Sequence, residues 1–304
     1  MAIAVVDANN FYASCQSVFE PRLWKMPCVV ASNNDGCVVA RNKLAKDLGI
    51  AMGVPLFQIE GLIKAKHVVV FSSNFALYAD MSRRMMEILE SFTPWLERYS
   101  VDEGFLSLMP ERDFSFEQIG RVIKAKVKKC LDLPVSVGIG DSKVLAKVAV
   151  YFAKRSEKAN GVVDLTNNEY RRVALKRLPI EEVWGIGRKR AELLKRNGIN
   201  TALEFTEVDN RWVRRNLTVV GERIWYELNG TCCLPLELAP SPKKSITVSR
   251  SFGEKVMDLE GLQSVLSTFI HKAGEKLRKE KMAATGLSVF INTSKFSKGL
   301  QYSN

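Results

Sequence analysis

The sequence of 304 residues predicts a multidomain α+β protein. Up to about residue 165, short apolar runs typical of strands alternate irregularly with segments of helical periodicity. From Tyr170 onward the pattern becomes helical, in short segments that glycines interrupt. A proline-rich stretch, residues 235–244, indicates a linker to a last segment of mixed pattern.

Hydrophobic periodicity predicts the elements of the first part. Residues 3–6 form a short apolar run that ends at Asp7, which is typical of a buried strand. Residues 75–92 carry apolar side chains at steps of three and four, which predicts the longest helix. Residues 33–36 are a strong turn signal, and residues 95–109 are typical of a hairpin. The other predicted strands are 27–31, 68–71 and 134–139, and the other predicted helices are 41–48, 116–131 and 142–154.

The last segment is predicted to be small and open. It offers a strand over residues 246–251, a helix over 259–279 and a strand over 286–292. One helix on two strands is little for a closed domain. We therefore expect this C-terminal domain to be truncated, or to be completed by a partner.

Composition favours a nucleic-acid partner. Lysine and arginine exceed the acidic residues to give a formal net charge of +12. Such a surplus is typical of proteins that bind polyanions, although a solvated basic face is the plainer alternative. The six cysteines show no C-x-x-C spacing and there are only two histidines, which argues against zinc and favours reduced thiols in the cytosol.

Neither a membrane span nor a leader is predicted. No apolar run approaches the roughly 18 residues that a membrane helix needs. The first residues carry an acidic side chain directly after an apolar run and lack the basic start of a signal peptide. We therefore expect a cytoplasmic protein.

Three acidic residues interrupt patterns that are otherwise apolar. Asp7 ends the first predicted strand, and Asp102 and Glu103 lie near the bend of the hairpin. Carboxylates in such places are costly unless paired, and a divalent cation with oxygen ligands, such as Mg²⁺, is one partner. A solvated turn and a helix cap are the alternatives. Spacing alone does not bring position 7 beside position 102.

Longer motifs decide between these alternatives. The stretches Asp7-Ala-Asn-Asn-Phe-Tyr12, Ser100-Val-Asp-Glu103 and residues 134–147 resemble the catalytic motifs of Y-family DNA polymerases, in the family's order. Residues 32–38 and 73–82 further resemble the UmuC type, which is the catalytic subunit of bacterial DNA polymerase V. Gly104 departs from the pattern, since relatives often carry alanine there.

The resemblance implies a two-metal-ion mechanism of nucleotide addition. Asp7 and Asp102 would bridge two Mg²⁺ ions, and Glu103 would hold the ion that activates the primer 3′-hydroxyl. The carbonyl of Ala8 would help to hold the ion on the incoming triphosphate.

Aromatic and basic residues are the further candidates that bind the nucleotide. The resemblance implies that Tyr12 is a steric gate against a 2′-hydroxyl, and a packed aromatic ring is the alternative. Phe11 is also a candidate nucleotide-binding residue, although its pattern is more typical of a core residue. Lys143, Lys147 and Lys154 share one helical face, which a solvated stripe would also explain. The resemblance places Lys154 and Lys46 at the triphosphate.

Residues 183–194 match a helix-hairpin-helix motif. Gly185 and Gly187 would let the backbone approach a phosphate at the start of a helix, and the basic run that follows adds charge. Such contacts bind DNA without reading its sequence. Residues 220–223 are a candidate for a second, degenerate copy. The candidate DNA-binding residues are Gly185, Gly187, Arg188, Lys189 and Arg190.

The resemblance also implies a domain plan and partners. Residues 1–31 and 77–166 would form the palm on a ferredoxin-like mixed sheet, 32–76 the fingers, 167–234 the thumb, and 245–304 a partial α/β little finger. The function implied is error-prone translesion synthesis in the SOS response to DNA damage. The partners implied are primer–template DNA, deoxynucleoside triphosphates, a processed UmuD dimer, the RecA filament and the sliding clamp.

Two other functions stay open at this point. A nucleotidyl cyclase would share the carboxylate-bearing sheet, but would need neither the basic surplus nor the helix-hairpin-helix. A catalytically weak or non-enzymatic DNA-binding relative without a complete little finger is the second alternative, and the three intact acidic residues argue against it.

Overall fold

The computed structural model describes residues 1–32, 36–109, 114–239, 242–252, 256–293 and 302–303. The chain divides into two compact units, with the division between residues 240 and 241. The strands are β1 (Ala2–Ala8), β2 (Cys28–Ala31), β3 (Val38–Arg41), β4 (Val69–Ser72), β5 (Leu96–Arg98), β6 (Glu103–Leu108), β7 (Val135–Gly140) and β8 (Val162–Asp164). The helices are α1 (Phe11–Phe19), α2 (Lys43–Asp47), α3 (Glu60–Ala65), α4 (Phe75–Glu90), α5 (Phe116–Leu131), α6 (Lys143–Ala153), α7 (Asn168–Arg177), α8 (Arg188–Arg196), α9 (Ala202–Thr206), α10 (Asn210–Leu228) and α11 (Leu259–Lys279).

A five-stranded mixed sheet forms the centre of the first unit. Its order is β5-β6-β1-β7-β8, with β1 antiparallel to both of its neighbours and β7 parallel to β8. Every residue of β1 is buried, because helices cover both faces of the sheet. The alternation of strands and helices that the sequence predicts up to residue 165 is therefore confirmed.

Helix α6 lies directly on the sheet. Val150 and Ala146 of this helix pack against Ile3, Val5 and Phe105. A Cβ at Gly138 of β7 would lie 2.2 Å from the backbone nitrogen of Val150, so only glycine permits this approach. The close packing fixes the helix that carries Lys143, Lys147 and Lys154 over the end of β1.

A second sheet of three strands, β3-β2-β4, lies in the same unit. Val29 of β2 is paired with Arg41 of β3, so the strand runs through Arg41. The predicted helix over residues 41–48 is thus too long at its start. Asn42 explains the boundary, because its side chain accepts a hydrogen bond from the Ala45 amide and caps the helix.

This second sheet pairs β2, which precedes the predicted boundary between palm and fingers at residue 31, with β3 and β4, which follow that boundary. The division into palm, fingers and thumb stays a prediction. The turn predicted over residues 33–36 falls on Asn33, Asn34 and Asp35, which lie outside the described residues.

Helices α7 to α10 share one core with the face of α6 that is turned away from the central sheet. Glu227 of α10 is completely buried and accepts hydrogen bonds from the amides of Val144, Cys233 and Leu234. This single carboxylate therefore joins three segments, and its hydrogen bonds compensate for the loss of water.

Part of the predicted linker is packed on the first unit. Leu236 contacts the cluster of Ile3 and Val150, and the Glu237 amide donates to Glu97 Oε2 over 2.7 Å. Proline content alone does not distinguish a free linker from a docked one.

The second unit differs from its prediction. Its described residues contain α11 and one isolated pairing between Asn292 and Ser303, and neither 246–251 nor 286–292 forms a strand. An alternating apolar pattern becomes a strand only when a neighbour accepts its backbone hydrogen bonds, and the described part of this unit supplies only the isolated pairing at Asn292. No helix of the described residues is long and apolar enough to cross a membrane.

Candidate active site

The structure brings the three acidic residues to one edge of the central sheet. Asp7 at the end of β1 is directly opposite Glu103 at the start of β6. Asp102 precedes β6, and its carbonyl accepts a hydrogen bond of 2.9 Å from the Ala8 amide. The antiparallel register of β1 with β6 thus brings position 7 beside positions 102 and 103, which residue spacing alone did not predict.

The carboxylates of Asp7 and Glu103 are close neighbours across the two strands, and each influences the pKa of the other. Burial, followed by this neighbour, raises the pKa of Asp7 to about 7. Burial also opposes the charge on Glu103, but its hydrogen bonds to Asp7 and Lys147 hold its pKa below the ordinary value. Two acidic groups in this environment repel one another when both are charged, so a cation is favoured beside them.

Two lysines of α6 supply positive charge at this edge. Lys154 Nζ lies 2.5 Å from Asp7 Oδ1, and Lys147 Nζ lies 2.6 Å from Glu103 Oε1. Lys154 was expected from the resemblance to contact a triphosphate, whereas no specific role was expected for Lys147. The signal for Lys147 was its position four residues after Lys143, which puts both on one face of the helix. Lys143 itself pairs with Glu97 in the interior.

Asp102 faces the opposite side of the site. Its carboxylate accepts a hydrogen bond of 2.7 Å from Ser100 Oγ. Asp102 also lies near α1. Burial and then the charge of Asp102 raise the pKa of Tyr12, and the same two causes raise the pKa of the Cys15 thiol to about 12. Asp102 therefore faces the side chain that the resemblance identifies as the sugar gate.

The donor set suits a hard divalent cation. Within the described residues, no three acidic, histidine or cysteine side chains converge closely enough to hold a metal ion as they stand. The groups at the edge are nevertheless all oxygen donors, and lysine ammonium groups now neutralise two of them. Asp7, Asp102, Glu103 and the carbonyl of Ala8 are thus chemically fitted to a hard divalent cation such as Mg²⁺.

Tyr12 lies on the surface of α1 that faces this site. Its ring is stacked on Tyr78 at 4.1 Å with an interplanar angle of 11°, and Phe75 meets it edge-on. The ring is therefore rigidly placed while remaining partly exposed. Phe11 is only 3% exposed and belongs to the core, so its backbone alone is available for the predicted nucleotide contact.

Four basic side chains form a cluster beside Asp7. The pKa of Lys46 is lowered by burial and then by the positive charges of Arg41, Lys154 and Arg155. These four basic groups therefore lie close together. Arg41 was not predicted as a site residue, because its place at a predicted helix start gave no signal. Its Nε and Nη1 are buried and find no hydrogen-bond partner among the described residues, which is costly for a guanidinium. The cluster therefore favours an anionic ligand.

The helix-hairpin-helix residues form a separate basic surface of the same unit. Gly185 has a φ of +91°, and a Cβ there would lie 2.6 Å from Ile224 Cδ1. Gly187 precedes α8, so the free amides of the first turn point outward beside the exposed side chains of Arg188 and Lys189. A shallow depression is lined by Gly185, Gly187, Arg188, Lys189 and Arg190.

The suggested second copy has a corresponding backbone feature. Helix α10 is interrupted at Thr218, whose φ is +64°, in the same left-handed region as Gly185. Residues 219–228 continue as a helix from this point. Gly221 is required there, because a Cβ would lie 2.2 Å from the Leu217 Cβ. The two hairpins pack on each other where Gly185 meets Ile224.

Protein-family models match three separate ranges that together cover most of the chain. Residues 6–151 match the impB/mucB/samB family, residues 168–199 match the IMS family HHH motif, and residues 243–304 match the impB/mucB/samB family C-terminal domain. These three ranges include the acidic edge, the helix-hairpin-helix and the second unit respectively.

Individual relatives agree with this result. The chain is 43% identical to Protein SamB of Salmonella typhimurium over 297 residues, and 44% identical to Protein UmuC of the same species over 296 residues. Each alignment covers 97% of this chain and 70% of the relative. Among solved structures, an insertion ternary complex of Dbh DNA polymerase is similar in fold, with 24% identity, a TM-score of 0.67, and coverage of 91% of this chain and 80% of that one.

Proposed function

We propose, from the fact that this chain belongs to the impB/mucB/samB family of UmuC-type Y-family DNA polymerases, that its acidic edge is the active site of an error-prone translesion polymerase. Its activity as a DNA-directed DNA polymerase follows from the family. The observation that carries the site assignment is the register of β1 with β6, which brings Asp7, Asp102 and Glu103 together beside a basic cluster. The two-ion mechanism and the role in the SOS response are parts of the proposal.

The residues of the chain hold and orient the reactants. Asp7, Asp102, Glu103 and the Ala8 carbonyl would hold two Mg²⁺ ions, with the ammonium groups of Lys147 and Lys154 beside the carboxylates of Glu103 and Asp7. When bound, the ions lower the pKa of the primer 3′-hydroxyl and neutralise charge on the triphosphate. The protein contributes little covalent chemistry, since phosphoryl transfer depends on positioning and on charge stabilisation.

The basic cluster is suited to the triphosphate. Lys154 and Lys46 are the phosphate ligands proposed from the sequence, and Arg41 and Arg155 add charge next to them. Lysine and arginine bind phosphate oxygens by charge-assisted hydrogen bonds. With the ions that the carboxylates would hold on one side and this cluster on the other, the triphosphate would be attracted by positive charge from both sides.

Replacing Tyr12 by alanine is expected to increase ribonucleotide incorporation relative to deoxyribonucleotide incorporation by on the order of 10²-fold. The stacked ring is held by Tyr78 and would collide with a 2′-hydroxyl, so its removal opens space where the extra oxygen would lie. Single-nucleotide primer extension with paired ribo- and deoxyribonucleoside triphosphates measures the ratio. Tyr12→Phe keeps the ring and is the matched control. Sugar selectivity that is equal in Tyr12→Ala and the wild type would exclude the gate.

The helix-hairpin-helix is proposed as the grip on the primer–template duplex. The amides that begin α8 and the side chains of Arg188, Lys189 and Arg190 would contact backbone phosphates, which carry no sequence information. Such binding suits an enzyme that moves along any template.

The remaining partners and the setting are proposals from the resemblance alone. They are a processed UmuD dimer, the RecA filament and the sliding clamp, acting in the bacterial cytoplasm at damaged DNA.

Primer extension in Mg²⁺ across a template abasic site tests the proposed function. We expect extension up to the lesion by the chain alone, and extension past it alone or once the proposed partners are added. Binding of the duplex without any nucleotide addition on undamaged template would instead favour the non-enzymatic DNA-binding alternative. Absence of duplex binding would leave the cyclase alternative, which formation of a cyclic nucleotide from a nucleoside triphosphate would identify.

A further inference from the structure

The ammonium group of Lys147 is enclosed by three aromatic rings. Its Nζ lies 4.9 Å from the ring centre of Tyr99, 5.6 Å from that of Phe105 and 6.0 Å from that of Trp184. Its carboxylate partner, Glu103, is 2.6 Å away, and the two side chains are only 13% and 16% exposed. We refer to Tyr99, Phe105 and Trp184 as the aromatic cage. Each ring face attracts a cation, and more strongly where water is excluded.

The rings of the cage also hold one another. Tyr99 meets Phe105 edge-on at 5.3 Å and Trp184 edge-on at 5.7 Å. Trp184 Nε1 donates a hydrogen bond of 3.3 Å to Tyr99 Oη. Such edge-to-face pairs have a preferred geometry, so a change in one ring is transmitted to the others.

The cage is assembled from two parts of the chain. Tyr99 and Phe105 belong to the β5–β6 hairpin that carries Asp102 and Glu103. Trp184 alone comes from the helical part, and it immediately precedes Gly185 of the helix-hairpin-helix. Trp184 is therefore the residue that connects the DNA-binding hairpin to the carboxylate edge.

We infer that Trp184 is a positioning residue for Glu103, acting by closing the aromatic cage over the ammonium group that holds this carboxylate. Without the indole, water reaches Lys147 from the side of the hairpin, and the ion pair weakens as the local dielectric rises. Glu103 then loses the partner that restricts its side chain. The inference rests on the proposed function for its consequence in catalysis, but the cage itself is testable without any reaction.

A plainer role for Trp184 is packing in the helical core, since its ring contacts that cluster. Trp212 packs against the same cluster and, like Trp184, is partly buried, but it takes no part in the cage. Trp212→Leu is therefore the matched control for Trp184→Leu. A packing role predicts the same behaviour for both variants.

The first measurement is the rate at which an amine-acylating reagent modifies Lys147 in the free protein, read by peptide mass spectrometry. We expect Trp184→Leu to increase this rate by about tenfold or more, because the cage opens, whereas Trp212→Leu leaves it unchanged. Lys143, which is buried against Glu97, should stay protected in both variants and reports that the fold is intact. Equal modification of Lys147 in the two tryptophan variants would overturn the inference.

A second variant keeps the test decisive if Trp184→Leu also exposes Lys143. Tyr99→Leu removes another wall of the cage without altering the helical core, and we expect the same selective increase at Lys147. Trp184→Phe keeps a ring in place and should restore most of the protection. Protection of Lys147 that is unchanged in Tyr99→Leu would refute the cage as its cause.

The consequence for catalysis is measured by a double-mutant cycle. Trp184→Leu is expected to reduce kcat for primer extension by about tenfold with a smaller change in KM for the deoxynucleotide. In a Lys147→Met background the same substitution should have almost no further effect, because it acts through Lys147. Additive effects would contradict the inference. Failure of the proposed function would appear differently, as a wild-type protein that extends no primer while its acylation pattern remains as expected.

Discussion

Asp102→Ala is expected to reduce primer extension by about 10³-fold or more while leaving the fold and duplex binding intact. The side chain of Asp102 accepts a hydrogen bond only from Ser100 among the described residues, so little stability depends on it. Its negative charge, in contrast, lies at the edge where Asp7 and Glu103 meet. Single-turnover extension in Mg²⁺ and fluorescence anisotropy on the same primer–template separate the two properties.

Glu103→Gln should lose activity to a similar extent for the same reason. The amide oxygen of glutamine still accepts from Lys147, so the contact persists without the charge. Asp164→Ala is the matched control, because Asp164 is also acidic and also ends a strand of the central sheet, at β8. Near-normal rates in Asp102→Ala or Glu103→Gln would refute the assignment of the active site.

Glu97→Ala is expected to lower the free energy of unfolding by about 3–5 kcal/mol. Glu97 and Lys143 form an ion pair of 2.5 Å with exposures of only 8% and 6%, and Glu97 also accepts from the Glu237 amide. Removing the carboxylate leaves a buried ammonium group and a backbone amide without their partner. Denaturant unfolding followed by circular dichroism measures the difference.

A neighbouring exposed pair gives the control. Glu90→Ala breaks the pair of Arg98 with Glu90, which is half exposed, and should lower the free energy of unfolding by less than about 1 kcal/mol. The double variant Glu97→Leu with Lys143→Met should recover most of the loss, because it removes both buried charges. Equal destabilisation by Glu97→Ala and Glu90→Ala would show that burial does not strengthen this pair.

Most elements of the first unit could be predicted because their patterns are local. The predicted helix over residues 116–131 agrees with α5 to the residue, and Ser142 caps α6 as its position before an apolar helix indicated. The short strands β3 and β8 were missed. Each has only three or four residues and depends on pairing with a distant neighbour.

The residues of the candidate site were predicted from sequence motifs, whereas the geometry of the site was not predicted. Positions 7, 102 and 103 were identified from resemblance, whereas their meeting depends on the register of two strands. The aromatic cage had no sequence signal, since Trp184 is distant in the chain from Tyr99 and Phe105 and each of the three is an ordinary packing residue by itself. The strands predicted in the second unit failed because an alternating pattern does not specify a partner.

The central position of β1 also determines how the protein loses its proposed active site on warming. Its amides and carbonyls are paired with β6 on one side and β7 on the other, so this strand has no edge from which to fray. Exchange of its amide hydrogens then requires cooperative opening of the whole sheet. The backbone that carries Asp7 consequently belongs to the last segment to open, and the surface loops can fluctuate without displacing it.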